Sequence, residues 1–203
     1  MNSRPAENNL LFEDSSFALR YFQKHRKMAY KLGLQYSRKL RNAGFQNGKI
    51  LDAGCGFGGT LLTIAKNFTN SEFFGVDLSE PLLKIAHEET SSQRLQSRIT
   101  FLKEDVQSLP FDNSTIDIVL NIYMVHLVED PVKMLNEIAR VLKSNGKFFI
   151  KDLRRTPLQL VEKEIKYSLS KTEALSLITK SNLPPGKFSQ GLLSWNYDSR
   201  DNF

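Results

Sequence analysis

The sequence predicts an α/β fold: a doubly wound, mostly parallel sheet of about six or seven strands with an N-terminal helical lid. Three observations predict it. Short apolar segments alternate with amphipathic ones across residues 49–153. A glycine-rich turn, Gly54-Cys55-Gly56-Phe57-Gly58-Gly59, follows the first short segment. Ahead of both, residues 15–43 carry apolar side chains at mostly helical spacing.

Each element has its own signal. Residues 15–43 read as helix, in one piece or in two broken near Gly33. Phe17, Leu19, Tyr21, Phe22, Met28, Leu32, Tyr36 and Leu40 form its apolar set. Gly44 and Gly48 mark the exit. A strand follows at 49–53, then a helix at 58–68 in which Leu61, Leu62, Ile64 and Ala65 are apolar. The next strand is 72–76. Helix 79–89 has Ser79 as its cap and Pro81 in its first turn. Strands are expected at 99–102 and 115–122. Helix 130–143 opens on Asp130-Pro131, with Gly146 beyond its end, and strand 147–153 follows. Strand-helix alternation at this spacing implies right-handed crossovers and parallel pairing. Beyond it, 157–182 reads as one or two helices, 182–186 as a turn, and 187–198 as one or two short strands. Residues 1–12 read as frayed.

Composition sets limits. Apolar residues are 40% and charged residues 25% of the 203, which fits a packed domain and excludes a disordered chain. Cys55 is the only cysteine, which excludes an internal disulfide and an all-cysteine zinc site. His25, His87 and His126 are scattered, so no metal set is expected. No apolar run approaches ~18 residues, so no membrane span is expected. The first ten residues are polar and give no secretory signal, which makes the cytoplasm the expected compartment. The net charge of +6 is unevenly placed. Residues 15–50 hold nine Lys and Arg and no Asp or Glu, leaving the rest net acidic. Such a segment serves nucleic acid, an anionic membrane surface or an acidic substrate, or is a solvated helix face.

The chemistry gathers at strand ends. Gly54, Gly56 and Gly59 satisfy G-x-G-x-x-G, which by itself is compatible with a dinucleotide. Asp52 argues otherwise. It stands two residues before Gly54, where it would repel a pyrophosphate and attract a cation. S-adenosylmethionine carries an ammonium and a sulfonium and no phosphate, so charge favours it as the ligand. A second acid, Asp77, ends the next strand, 23 residues after Gly54. An acid about 20 residues past the glycines can take both hydroxyls of a ribose. Alone, Asp77 would read as a turn or cap acid.

With these motifs in hand, residues from about 49 to 153 resemble a class I S-adenosylmethionine-dependent methyltransferase, of the broad type that includes ubiquinone-biosynthesis-like enzymes. The resemblance also rests on 111–117 (FDNSTID) and 137–146 (EIARVLKSNG). It implies a Rossmann-like sheet with a last antiparallel strand inserted. It implies that Asp52, Gly54, Cys55, Gly56 and Gly58 hold the methionine end, with Asp77 and Leu78 at the ribose. Asp105 would face the adenine amino group and the Val106 amide its ring. Asn121 and Tyr123 would line the methionine part, and His126 stands in a loop that faces cofactor or acceptor. His126 could be a base where the acceptor is a hydroxyl or an acidic carbon, or only a pocket residue.

The expected organisation is a helical extension, 1–46, and a cofactor-binding domain, 47–203. The expected function is methyl transfer to a small molecule, with Tyr21, Phe22 and Tyr30 of the extension covering the pocket. The alternative is an RNA methyltransferase, or an RNA-docking module that binds S-adenosylmethionine, using the basic extension. Cytosine C5 methylation is excluded because no cysteine stands outside the glycine turn. Tyr167 and Lys171 form Y-x-x-x-K, as in short-chain dehydrogenases, but Asp52 opposes the phosphates of their cofactor.

Overall fold

The computed structural model describes residues 13–156 and 167–200, which fall in two compact units, 13–105 and 106–200. The first unit runs α1 (Ser15–Asn42), β1 (Lys49–Ala53), α2 (Gly59–Asn67), β2 (Glu72–Asp77), α3 (Glu80–Ser92) and β3 (Ile99–Lys103). The second runs β4 (Ile116–Ile122), α4 (Pro131–Val141), β5 (Leu142–Leu153), α5 (Lys171–Lys180), β6 (Gly186–Gln190) and β7 (Ser194–Ser199). The seven strands belong to one mostly parallel sheet, as the alternation predicts. Residues 1–12 and the first part of the predicted 157–182 helices lie outside the described residues.

In the first unit the order is β3-β2-β1, all parallel. Asp52 on β1 stands opposite Gly75 on β2, and Gly75 opposite Phe101 on β3. Gly75 has a packing reason: a Cβ there would lie 2.6 Å from the Phe101 ring and 2.8 Å from Cys55 Sγ. Asp14 caps α1 by accepting the Phe17 N–H at 2.6 Å, and Ser79 caps α3 by accepting from Leu82. Nearly the whole circumference of α2 is buried, from Thr60 to Ala65, which is why its apolar pattern is a run and not a stripe.

α1 is one unbroken helix packed on α2 and α3. Of the two readings, one piece or two broken near Gly33, the structure has the single piece. Gly33 instead marks a close helix approach, since a Cβ there would stand 2.4 Å from Thr63 Cβ and 2.9 Å from the Thr60 carbonyl oxygen. Leu19, Met28 and Tyr30 are exposed rather than core, because the helix is wide in apolar residues and only the Ala18, Ala29, Leu32, Tyr36 and Leu40 side faces its neighbours.

In the second unit the order is β4-β5-β7-β6. β4 and β5 are parallel, and β7 is antiparallel to both β5 and β6, the inserted strand the resemblance implies. Both strands expected within 187–198 are present. α4 ends at Val141, two residues earlier than predicted, because Leu142 turns extended and pairs with Ile116. It buries Met134, Leu135, Ile138 and Val141 along one face. Arg140 holds the preceding loop, donating to the Leu109 and Phe111 carbonyls at 2.9 and 2.7 Å and to Glu137. Trp195 and Tyr197 of β7 are buried.

Candidate functional site

β1 delivers Asp52 and Ala53 to a turn that three left-handed glycines shape: Gly54 (φ 90°), Gly56 (φ 52°) and Gly58 (φ 71°). Only glycine adopts these values without strain. Neighbouring groups tie the turn down. The N–H groups of Gly54 and Cys55 donate to the Val76 carbonyl at 2.8 and 3.0 Å, and Gly58 N–H donates to the Cys55 carbonyl at 2.9 Å. Gly58 is also the N-cap of α2, and a Cβ there would stand 2.8 Å from the Phe101 ring.

Asp77, at the end of β2, closes this turn from the other side. One of its oxygens accepts the Gly56 N–H at 2.7 Å and the other the Ser79 N–H at 3.0 Å. Its reading as a turn acid is therefore realised in the structure, and each oxygen keeps a lone pair for a further donor. Burial raises the Asp77 carboxyl above the usual range, against the pull of these backbone hydrogen bonds. Leu78 beside it is half-exposed.

Asp52 is 3% exposed, and no described residue bonds its Oδ1. Burial, and then the nearby Asp77, push its carboxyl up to about 8. A positive charge placed beside these two acids would bring the Asp52 carboxyl back down. The Cys55 thiol is raised by burial and then by the same two carboxylates, so it stays protonated and unreactive. Asp105, just past β3, is half-buried. Phe57 in the turn packs edge-on against Phe22, ring centroids 5.2 Å apart, and against Tyr21 at 6.2 Å. Of the three aromatics expected to cover the pocket, Tyr21 and Phe22 thus reach the glycine turn. Tyr30, 54% exposed, faces solvent from the far side of the helix.

The second unit assembles a separate polar cluster. Val106 and Asn121 are buried, with Asn121 Nδ2 donating to Met134 Sδ at 3.5 Å. Tyr123 follows β4 in the left-handed region at φ 59°, held there by its N–H donating to the Lys151 carbonyl at 2.7 Å. Burial and then the Asp152 carboxylate raise its phenol. His126 is 5% exposed. Its backbone N–H donates to Asp152 Oδ2 at 2.8 Å and its ring Nδ1 to Asp152 Oδ1 at 2.5 Å. A carboxylate on Nδ1 holds the proton there, leaving Nε2 as the basic nitrogen. Asp152 also accepts the Leu153 N–H at 2.6 Å.

Asp152 is the residue the sequence reading passed over. A signal for it existed: like Asp52 and Asp77, it is an acid at the carboxyl end of a strand, where such sheets hold ligands. Among the described residues no three His, Cys, Asp or Glu side chains gather as a metal site, and no helix is long and apolar enough to cross a membrane.

Residues 51–150 match the family model described as "Methyltransferase domain". The chain is 34% identical over 111 residues to the sterol 4-C-methyltransferase of Caenorhabditis elegans, covering 55% of this chain and 33% of that protein. It is 33% identical over 101 residues to the ajmaline N-methyltransferase of Rauvolfia serpentina, covering 50% of this chain and 34% of that one. This chain thus matches about a third of the length of these two relatives. In fold it is similar to a SAM-dependent methyltransferase from Aquifex aeolicus, with a TM-score of 0.75 and 19% identity over 91% of this chain and 97% of that one. Glycine turn, sheet order and matched residues agree, and through residues 51–150 the chain belongs to the class I S-adenosylmethionine-dependent methyltransferases.

Proposed function

We propose that this chain transfers a methyl group from S-adenosylmethionine to a small, largely apolar organic acceptor. The observation that carries the reading is Asp52, a buried carboxyl group at the foot of a three-glycine turn with an oxygen that no described residue bonds. Such a group favours a cationic ligand and opposes a pyrophosphate. For the acceptor, support comes from relatives named for a sterol and for ajmaline.

The residues divide the work. Asp52 and the Gly54, Cys55, Gly56 and Gly58 turn hold the cationic amino-acid end. Asp77 and Leu78 hold the ribose, and Asp105 takes the adenine amino group. When bound, S-adenosylmethionine supplies a methyl group on a sulfonium, which leaves without its electron pair to an attacking lone pair or carbanion. His126, with Nδ1 tied to Asp152, takes the acceptor's proton at Nε2 where the acceptor is a hydroxyl or an acidic carbon. Tyr21 and Phe22, seated on Phe57, screen the turn from water. We place this activity in the cytoplasm.

A melting experiment tests the reading. S-adenosylmethionine should raise the melting temperature of the chain, as any ligand selective for the native state does, while NAD and NADP leave it unchanged. A shift with NADP and none with S-adenosylmethionine would overturn it.

A further inference from the structure

The outer face of α1 remains unexplained by methyl transfer. Viewed down the helix at 100° per residue, one stripe lies opposite the buried side and a second lies between that stripe and the buried side. One carries Arg20, Lys24, Lys27, Lys31 and Arg38, all exposed. The other carries Leu19, Tyr30 and Leu34, which are 49%, 54% and 40% exposed, with Arg26 between the first two. The helix holds no acidic residue to offset these cations. Among the described residues, Lys24, Arg26, Lys27, Lys31 and Arg38 form no ion pair.

We propose that this face docks the protein on an anionic lipid bilayer. The pattern is that of an interfacial helix: cations meet anionic headgroups while Leu and Tyr side chains sink toward the acyl boundary. Nucleic acid would use the cations equally well, but it gives no return for exposing Leu19 and Leu34, which have no base-stacking ring. The inner face supplies the geometry that makes docking useful. Tyr21 and Phe22 rest on Phe57 of the glycine turn, so a docked helix holds that turn about one helix diameter, ~10 Å, from the lipid. The proposal stands on α1 alone and does not depend on the identity of the acceptor.

Vesicle flotation of the full chain tests it. The chain should float with phosphatidylcholine vesicles containing about 25% phosphatidylglycerol and release as salt rises from about 50 to about 500 mM. Pure phosphatidylcholine should carry at least roughly tenfold less protein. Two variants separate the contributions: K24Q/K27Q/K31Q/R38Q and L19S/Y30S/L34S, each expected to bind anionic vesicles at least roughly tenfold less. Circular dichroism and melting confirm that each variant is folded, and if either is not, the lipid and salt comparisons on the unaltered chain still decide. No flotation, or equal flotation with neutral vesicles, overturns the proposal. So does a folded L19S/Y30S/L34S variant that floats unchanged and, like the unaltered chain, binds an RNA hairpin through the same lysines; that result would assign the face to nucleic acid.

Discussion

Asp152 grips His126 at two points, its Oδ2 accepting the backbone N–H at 2.8 Å and its Oδ1 the ring Nδ1–H at 2.5 Å. The double grip fixes the imidazole's position, its orientation and its tautomer together. Asp152→Ala removes the acceptor for these two buried donors and for the partly buried Leu153 N–H, and should destabilise the fold by about 3–5 kcal/mol. Urea unfolding at constant slope measures it.

His126→Gln tests the proton role separately. If the acceptor gives up a proton, kcat should fall about 10²- to 10⁴-fold with little change in KM. Asp152→Asn should give a smaller fall in kcat while remaining folded, because a carboxamide still accepts from the backbone but no longer enforces the Nδ1–H tautomer. An unchanged kcat in both variants would leave His126 a structural residue.

The raised Asp52 carboxyl makes ligand binding depend on pH. At about 8 it is mostly protonated near neutrality. A cation seated beside it lowers it again, so binding S-adenosylmethionine should release up to about one proton. Affinity should therefore climb with pH between about 6 and about 7.5, by at most about tenfold per unit. Calorimetry in two buffers of different ionisation heat counts the proton, and Asp52→Asn should abolish the release. Stability of the ligand-free protein runs the opposite way. The folded carboxyl keeps its proton up to about 8 while the unfolded one loses it from about 4, so this group's contribution is full below about 4 and lost as pH rises through about 8. The melting temperature should decline across that window, less so in Asp52→Asn.

Asp77 has two duties, and two variants tell them apart. Asp77→Ala strands the Gly56 and Ser79 N–H groups and removes the acceptor for the ribose. Melting temperature should fall and S-adenosylmethionine affinity weaken by about 2 kcal/mol or more. Asp77→Asn keeps one oxygen for one of these N–H groups, so it should recover part of the stability while affinity stays low. Equal recovery of both would confine Asp77 to the turn.

Gly33→Ala sets helix propensity against packing. On an exposed helix the change would stabilise by about 1 kcal/mol. Here the new methyl meets Thr63 Cβ and the Thr60 carbonyl, and backbone cannot swing aside as a side-chain tip can. The variant should lose about 1–3 kcal/mol, read as a lower melting temperature.

What could be read from the sequence was what is encoded locally. The Asp52-to-Gly59 turn is one stretch of chain whose acid and glycine spacing is visible without its distant partners. The caps Asp130 and Ser79 are likewise local, and both bond the helices they begin. Pairings across the chain were harder. Asp152 meets His126 from 26 positions away, and nothing near either residue marks the other. Gly33 carried the ordinary signature of a helix breaker because Thr63, which explains it, lies on another helix. The exposed Leu19 and Met28 read like core because an apolar side chain gives the same signal whichever way it faces.

The placement of β7 between β5 and β6 sets an order of assembly. The outer edge of β5, Phe149–Leu153, has no strand beside it until residues 194–199 arrive, and β6, although made earlier, has only β7 to pair with. During synthesis the chain must therefore hold an unpaired edge beside the fully buried Phe148 while about forty further residues emerge. Lys147 and Lys151 lie on that strand, and charged side chains on an open edge discourage pairing with a second molecule. Conditions that delay the arrival of residues 194–199, or that loosen Trp195, should reveal themselves first as aggregation rather than as lost affinity for the methyl donor.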